Sequence, residues 1–391
     1  MLNVMHVVGT FALEHGGATE EIGNHCIAQA AIGYDVRLFH LDGFPGTSGC
    51  RCLPKPIEQK GFAVWRPAKL GYSWEFAREL KLSKVPDIYH VHGPWHFAQI
   101  IACRQAVRRK VPYVYHLMGG FTEYELSRKP LRKKIARYLY QDEAIRNASC
   151  IHVNGYAEAD FLRGQGFVNP IAVLPVGTRI PSLGKSGDDS VNPLELEADG
   201  RRILLFLARV HPTKGPEHLI QAWQHVCRKY PDWILVMAGA GEPRYVEGLR
   251  ARVESLGLAN SVRFTGLLTE SQKTWCYRNA AIYVLPSFQE NFGNTVAEAL
   301  SFGVPVITTT RTPWAELEGA NCGWLVEPDA DHLQAVLLKA MGSNSEILEE
   351  MGWAGRKLVQ DKYSLDAVVG CLDRIYSWVL GGERPQEAWL I

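Results

Sequence analysis

Residues 280–309, AAIYVLPSFQENFGNTVAEALSFGVPVITT, constrain the fold more than any other stretch of this 391-residue chain. A short apolar run at 282–285 stops at Pro286, a polar loop follows, a helix opens near Gly293, and a second apolar run closes the stretch. Strand, loop, helix and strand at this spacing form the repeating unit of a parallel sheet flanked by helices. In such a sheet the loop lies at the carboxyl edge of the strands, where ligands bind, and the N–H groups of Gly293, Asn294 and Thr295 suit an anion. Two carboxylates, Glu290 in the loop and Glu298 in the second turn of the helix, flank that anion site. They make sense if the ligand carries hydroxyls as well as phosphate, because an ionised carboxylate is acceptor-only and can grip a vicinal diol. A sugar nucleotide has both groups.

The cations for such a ligand stand upstream. A strand at 202–208 ends in Arg209, the loop His211-Pro212-Thr213, then Lys214-Gly215 and a helix with Pro216 in its first turn. Two cations five apart at a strand end are surface charge in most chains; beside a carboxylate loop they read as a diphosphate clamp, Arg as a planar fork and Lys as a point charge. Two further strands, 233–238 and 262–265, end in Gly239-Ala240-Gly241 and Gly266-Leu267.

The amino half repeats the pattern. A strand at 3–9 leads to Gly16-Gly17 and a helix starting near Thr19, a turn that permits close backbone approach to a ligand although it is not GxGxxG. A strand at 35–40 precedes a Pro-, Gly- and Cys-rich loop at 43–60, and the next strand, 86–93, sets Ile88, His90 and His92 on one face, His92 at the carboxyl end. With His96 these histidines invite a metal reading, which is disfavoured because no carboxylate or thiol completes the set. Six cations, Arg128, Lys129, Arg132, Lys133, Lys134 and Arg137, lie on an expected helix over 128–140 whose other positions include Leu131, Ile135 and Tyr138. That is either a solvated face or a basic amphipathic helix.

Length suits two domains rather than one core, here 1–180 and 201–363, joined by an aperiodic linker at 181–200. No stretch approaches the roughly 18 apolar residues of a membrane span, and residues 1–18 lack a basic n-region and a cleavage site, so a cytoplasmic protein is expected. Nine scattered cysteines indicate neither a disulfide framework nor a zinc site. The net charge of +1 divides into +7 for residues 1–180 and −6 for the remainder, no argument for nucleic acid but compatible with a local basic surface facing anionic lipid or a pyrophosphate.

The run Glu290-Asn291-Phe292-Gly293-Asn294-Thr295-Val296-Ala297-Glu298 resembles the signature of glycosyltransferase family 4, the retaining enzymes of the GT-B fold, and nearly the whole chain follows it. The resemblance implies two Rossmann-like, doubly wound α/β domains facing a cleft, the first for the acceptor and the second for the donor, with a C-terminal helix at 364–380 crossing back to the first. It implies that Arg209 and Lys214 stabilise the diphosphate, Glu298 holds the ribose diol and Glu290 the sugar hydroxyls. Gly239, Gly266 and Leu267 then present backbone near the nucleotide, Gly16 and Gly17 face acceptor or donor phosphate, and His92 lies near the transferred sugar. The catalytic set so implied is His92, Glu290, Arg209 and Lys214, with no metal and no cofactor beyond the nucleotide sugar.

Val114-Tyr115-His116-Leu117-Met118-Gly119 resembles a subgroup of that family, and Pro313-Trp314-Ala315-Glu316-Leu317 resembles its bacterial surface-polysaccharide members; the resemblance to exopolysaccharide enzymes makes UDP-glucose the first expected donor and GDP-mannose the second. The expected acceptor is a saccharide or a lipid-linked saccharide, with peripheral contact to an anionic membrane through 128–137. The family's Asn and Asp around the turn at 175–179 are replaced by Val176 and Arg179. Asp329-Ala330-Asp331 mimics a metal-binding DxD but begins a helix, where capping explains the first aspartate. Two other classes stay open: a nicotinamide oxidoreductase, which would need GxGxxG after the first strand, and a sugar-nucleotide-binding protein without catalysis, which a donor-hydrolysis assay separates.

Overall fold

The computed structural model describes residues 1–47, 49–182, 192, 200–387 and 389–391, so the expected linker lies almost wholly outside the described residues. The chain forms two compact units, Met1–Gly177 with Leu365–Ile391, and Thr178–Ser364.

The first unit is a seven-stranded sheet of β1 (Asn3–Val8), β2 (Asp35–Asp42), β3 (Glu58–Ala63), β4 (Ile88–His92), β5 (Tyr113–His116), β6 (Cys150–Val153) and β7 (Ile171–Val173). The order is β3-β2-β1-β4-β5-β6-β7 and every pairing is parallel. Strand β3 corrects the loop expected over 43–60: its sequence, EQKGFA, is a half-exposed edge with no apolar run to betray it. Period two then divides the core. Met5, Val7, Tyr89, Val91, Tyr115, Ile151 and Val153 build one face, and Val4, Ile88, Val114, Cys150 and Ala172 the other. The second face is covered by Leu372, Ile375 and Tyr376 of the C-terminal helix Leu365–Val379, which is part of this unit.

The basic stretch is not one helix. A helix Glu123–Ser127 ends at Arg128, Lys129 takes a left-handed conformation (φ 55°), and Pro130 opens the helix Pro130–Ala136. Proline cannot continue a helix from a residue before it, so the break falls there. Lys133 pairs with Glu125 at 3.1 Å and lies over the Trp95 ring, and Arg137 pairs with Asp142 at 3.0 Å, whereas Lys129, Arg132 and Lys134 stand exposed. Beside them Leu131, Ile135, Tyr138 and Leu139 are exposed too, from 52% to 90%.

The second unit holds β8 (Arg202–Leu207), β9 (Trp233–Ala238), β10 (Val262–Gly266), β11 (Ala280–Leu285), β12 (Val306–Thr309) and β13 (Gly323–Val326), all pairings parallel, in the order β10-β9-β8-β11-β12-β13. Its central strand β8 and the adjoining β9 are buried apolar runs, as strands covered on both faces are, whereas the edge strand β10 (VRFTG) is mostly half-buried. The chain moves outward one way from β8 and the other way from β11, so the topological switch point lies between these two central strands, and the loops after them frame the place where an open α/β sheet binds its ligand.

Candidate functional site

Both switch-point loops of the second unit are tied to each other. After β8 the chain turns through Pro212–Lys214, and Gly215 at φ 68° passes so close to Pro286 that a Cβ would come within 2.2 Å of its carbonyl oxygen. Only glycine fits there. The Phe288 N–H donates to Thr213 O at 2.9 Å, so the loop after β11 is registered against the cation loop by backbone alone.

Within that frame Lys214 Nζ lies 2.5 Å from Glu290 Oε1, and Ser287 Oγ donates to the same oxygen at 2.8 Å. Ser287 is itself held by Thr309 Oγ1, which donates to its carbonyl at 2.6 Å from the end of β12. Arg209 is exposed, and no hydrogen bond or ion pair holds its guanidinium among the described residues. Of the two cations expected to form a clamp, Lys214 is thus fixed by a carboxylate, and Arg209 is not.

The helix Asn294–Ser301 begins at Gly293, whose backbone is left-handed (φ 83°), and as in the first turn of any helix the N–H groups of Asn294 and Thr295 have no intrahelical partners. Its start is anchored by an aromatic group: Trp314 Nε1 donates to Phe292 O at 2.6 Å, and Phe292, Trp314 and Tyr363 pack with centroids 5.0 to 5.7 Å apart. Asn291 is exposed at the loop tip. Tyr283 of β11 donates to Thr295 Oγ1 at 2.6 Å.

Glu298, one turn further, accepts from Tyr277 Oη at 2.8 Å and lies 3.6 Å from Lys273 Nζ. Burial pushes its carboxyl above the usual carboxylate range, Lys273 and Tyr277 pulling back against that shift. Ser287, Tyr277 and Lys273 were not singled out from the sequence. A signal existed for two of them, since Lys273 and Tyr277 are four apart on the helix Glu270–Asn279 and share a face.

Gly239 has a packing reason for being glycine: at φ 133° a Cβ would lie 1.9 Å from Ala208 O, so it lets the end of β9 pass against the residue before Arg209. Gly266 (φ 73°) turns the chain after β10, and its carbonyl accepts from Gly239 N at 2.9 Å, leaving Leu267 81% exposed. Asp329 caps the helix Ala330–Met341, its Oδ1 accepting from His332 N at 2.9 Å and Asp331 N at 3.1 Å.

In the first unit Gly16 (φ 50°) caps the helix Gly17–Ala31, two residues earlier than expected, and both glycines are exposed. His92 is not an open residue at a strand end. It is fully buried, its Nε2 2.8 Å from His6 Nδ1 and its Nδ1 3.3 Å from His116 Nδ1.

The chain has relatives among known proteins. Residues 192–358 match the family model described as glycosyl transferases group 1, and residues 16–177 match that described as glycosyl transferase 4-like domain. An uncharacterized glycosyltransferase of Haemophilus influenzae is 27% identical over 170 residues, 43% of this chain and 47% of that protein. A D-inositol 3-phosphate glycosyltransferase of Segniliparus rotundus is 27% identical over 257 residues, 63% and 57% of the two. The match thus spans about half the length of these curated relatives. Among solved structures, Anabaena HepE in complex with UDP and glucose is similar with a TM-score of 0.73 at 18% identity, over 97% of this chain and 100% of that one. Sucrose-phosphate synthase from Thermosynechococcus elongatus reaches 0.72 at 18%, over 96% and 99%. These likenesses place both sheets in the GT-B fold.

Proposed function

The chain belongs to the glycosyltransferases, and from that premise we propose that it is a retaining hexosyltransferase drawing on a nucleoside-diphosphate sugar, UDP-glucose first, to extend a saccharide or lipid-linked saccharide. The observation that carries this reading is the Lys214–Glu290–Ser287 cluster at the start of the helix Asn294–Ser301, on the switch point of the second unit. A diphosphate takes the first-turn N–H groups of Asn294 and Thr295 together with Arg209 and Lys214. Glu298 takes the ribose diol, and Glu290, turned by Lys214 and Ser287, takes sugar hydroxyls. Gly239, Gly266 and Leu267 line the way to the base.

In the reaction the bond between the anomeric carbon and the β-phosphate oxygen breaks, and its electron pair leaves on the diphosphate, where Arg209 and Lys214 neutralise it. The acceptor oxygen bonds the anomeric carbon from the same face and passes its proton to the departing phosphate. Glu290 is positional in this scheme, not nucleophilic. His92 has no direct part in it, because its ring is buried. The acceptor falls to the first unit, with Gly16 and Gly17 at its helix start, and a lipid-linked acceptor fits Lys129, Arg132 and Lys134 beside exposed Leu131, Ile135 and Tyr138 as a peripheral contact with anionic bilayer at the cytoplasmic face. Among the described residues no helix is long and apolar enough to cross a membrane. UDP leads because the HepE structure of the same fold was solved with UDP and glucose.

Calorimetry with UDP, GDP, UDP-glucose and GDP-mannose tests this. The reading expects UDP to bind and UDP-glucose to be consumed slowly by hydrolysis; binding without turnover for every donor, acceptors included, would return the chain to a carrier of sugar nucleotides.

A further inference from the structure

The first sheet has a switch point of its own. The chain moves outward one way from β1 and the other way from β4, so the loops that follow these two strands frame its ligand crevice. They touch: a Cβ on Gly9, after β1, would lie 2.0 Å from Nδ1 of His96, after β4. His96, which sequence spacing grouped with His90 and His92, stacks on Phe44 from the loop after β2, centroids 5.3 Å apart at 28°. The loop after β3 runs onto the same place. Gly71 (φ 57°) sits so close to His96 that a Cβ would come within 2.5 Å of the histidine's own, and its carbonyl accepts from Ala98 N at 2.9 Å. Within this loop Trp65 N donates to Tyr72 O at 2.7 Å, Leu70 N to Pro67 O at 3.0 Å and Gly71 N to Ala68 O at 2.9 Å, and Ser73 then caps the helix Trp74–Leu82. A segment bonded at this many points is held in one shape before any ligand arrives, which lowers the ordering cost of binding.

What the loop holds outward is apolar or basic. Trp65, Leu70 and Trp74 are 54%, 45% and 58% exposed, and the Trp65 ring meets Tyr72 edge to face, centroids 6.3 Å apart at 86°. The indole N–H groups of Trp95, Trp223 and Trp314 donate to the protein, whereas those of Trp65 and Trp74 have no partner among the described residues. Arg66, Lys69 and Arg78 are exposed as well, and none of them is in an ion pair among the described residues; Arg78 stands one turn from Trp74 on the same helix face. The neighbouring carboxylates are engaged, Glu75 accepting from Ser73 Oγ at 3.1 Å and Glu79 pairing with Lys60. The cations are thus left for a ligand.

We propose that the loop 64–74 is an acceptor subsite for the inner sugars of an acidic oligosaccharide, a proposal that rests on reading the chain as a glycosyltransferase with its acceptor on the first unit. A pyranose is apolar on its C–H faces and ringed by oxygens, so an indole takes the face while its N–H or a neighbouring cation takes an oxygen. Three unpaired cations around the rings select sugars that carry carboxylates, which Arg66 and Arg78 meet with two parallel donors each. The surface differs from the one proposed for the bilayer: there Leu131 and Tyr138 project at 71% and 90% exposure, whereas Trp65 and Trp74 are half sunk, as rings that stack on a ligand are. Because the subsite lies beside the crevice and not in it, its occupant is an inner residue of a chain whose end reaches Gly9 and His96. The acceptor is therefore longer than a monosaccharide.

The full chain, labelled with nitrogen-15 at tryptophan, is titrated with galacturonic acid, with oligogalacturonides of increasing length and with neutral maltooligosaccharides. No donor is present, so the result stands whether or not any donor is consumed. The proposal expects the indole N–H resonances of Trp65 and Trp74 to move with the acidic chains, more tightly as length grows, and to stay in place with the monosaccharide and the neutral series. Trp65→Ala or Trp74→Ala should weaken binding by about tenfold or more, Arg66→Gln should lessen its dependence on salt, and Trp353→Ala, at an exposed tryptophan of the second unit, should change nothing. Melting curves show that the variants are folded. Indoles of Trp65 and Trp74 that stay still with every acidic chain, a monosaccharide as effective as the longest chain, or indoles that respond to phosphatidylglycerol vesicles but to no saccharide overturn the proposal.

Discussion

Replacing Lys214 by Met removes the charge while keeping most of the side chain's length. The lysine and Glu290 side chains are only 16% and 10% exposed and meet at 2.5 Å, so their contact is not a surface pair worth about 0–1 kcal/mol. A charge-assisted hydrogen bond in such a place contributes about 1.5–3 kcal/mol. If Lys214 spends that interaction on the diphosphate as the sugar leaves, the loss appears in kcat as a factor of roughly 10 to 150 at about 1.36 kcal/mol per decade, with a smaller effect on KM. Initial rates of donor consumption measure it, and a thermal melt shows whether the variant is folded. The double variant with Glu290→Gln should lose less than the two single losses combined, because the two groups act through one contact. A folded Lys214→Met enzyme with kcat within about threefold of the original would refute the assignment, since a factor that small is below 1 kcal/mol.

Arg209→Ala should cut turnover by at least about tenfold while stability stays within about 0.5 kcal/mol, because the side chain is exposed and makes no hydrogen bond or ion pair among the described residues; rates and melts together check this. Glu298→Gln should weaken the free nucleotide, whereas Glu290→Gln should spare it and damage use of the sugar, as calorimetry with both ligands would show. Because the Glu298 carboxyl titrates above its usual range and only its ionised form is purely an acceptor, nucleotide affinity should fall as pH is lowered through that raised value, and Glu298→Gln should flatten the profile. Gly239→Ala drives a methyl against Ala208 O and should cost on the order of 1–3 kcal/mol in chemical denaturation. Sedimentation with anionic liposomes at low salt should retain the protein, and Lys129→Glu, Arg132→Glu and Lys134→Glu together should release it, Lys133 being already engaged with Glu125.

Much of the second unit was legible because β8, β9 and β11 are apolar runs, the last two closed by Gly239 and Pro286, and because the Glu290 to Glu298 stretch carries its own local order. The loop-to-loop contacts were not: that Ser287 and Lys214 share one oxygen of Glu290 depends on the pairing of β11 with β8, which no local pattern states. In the first unit the period-two reading put His90 and His92 on one face correctly, and their rings stack at 4.3 Å. It could not supply His6 and His116, since register between parallel strands is set by crossovers of many residues. Edge strand β3 escaped for the opposite reason, having no buried face to pattern. The basic stretch was misread as continuous because charge periodicity outweighed Pro130, the one residue that local backbone geometry makes decisive.

Hydrogen exchange with and without UDP tests the donor site most directly. The account predicts slowed exchange in peptides spanning 209–215 and 290–298, where backbone N–H groups and the two loops would close on the diphosphate and ribose. Nucleotide binding seen by calorimetry but leaving both segments unprotected would contradict it.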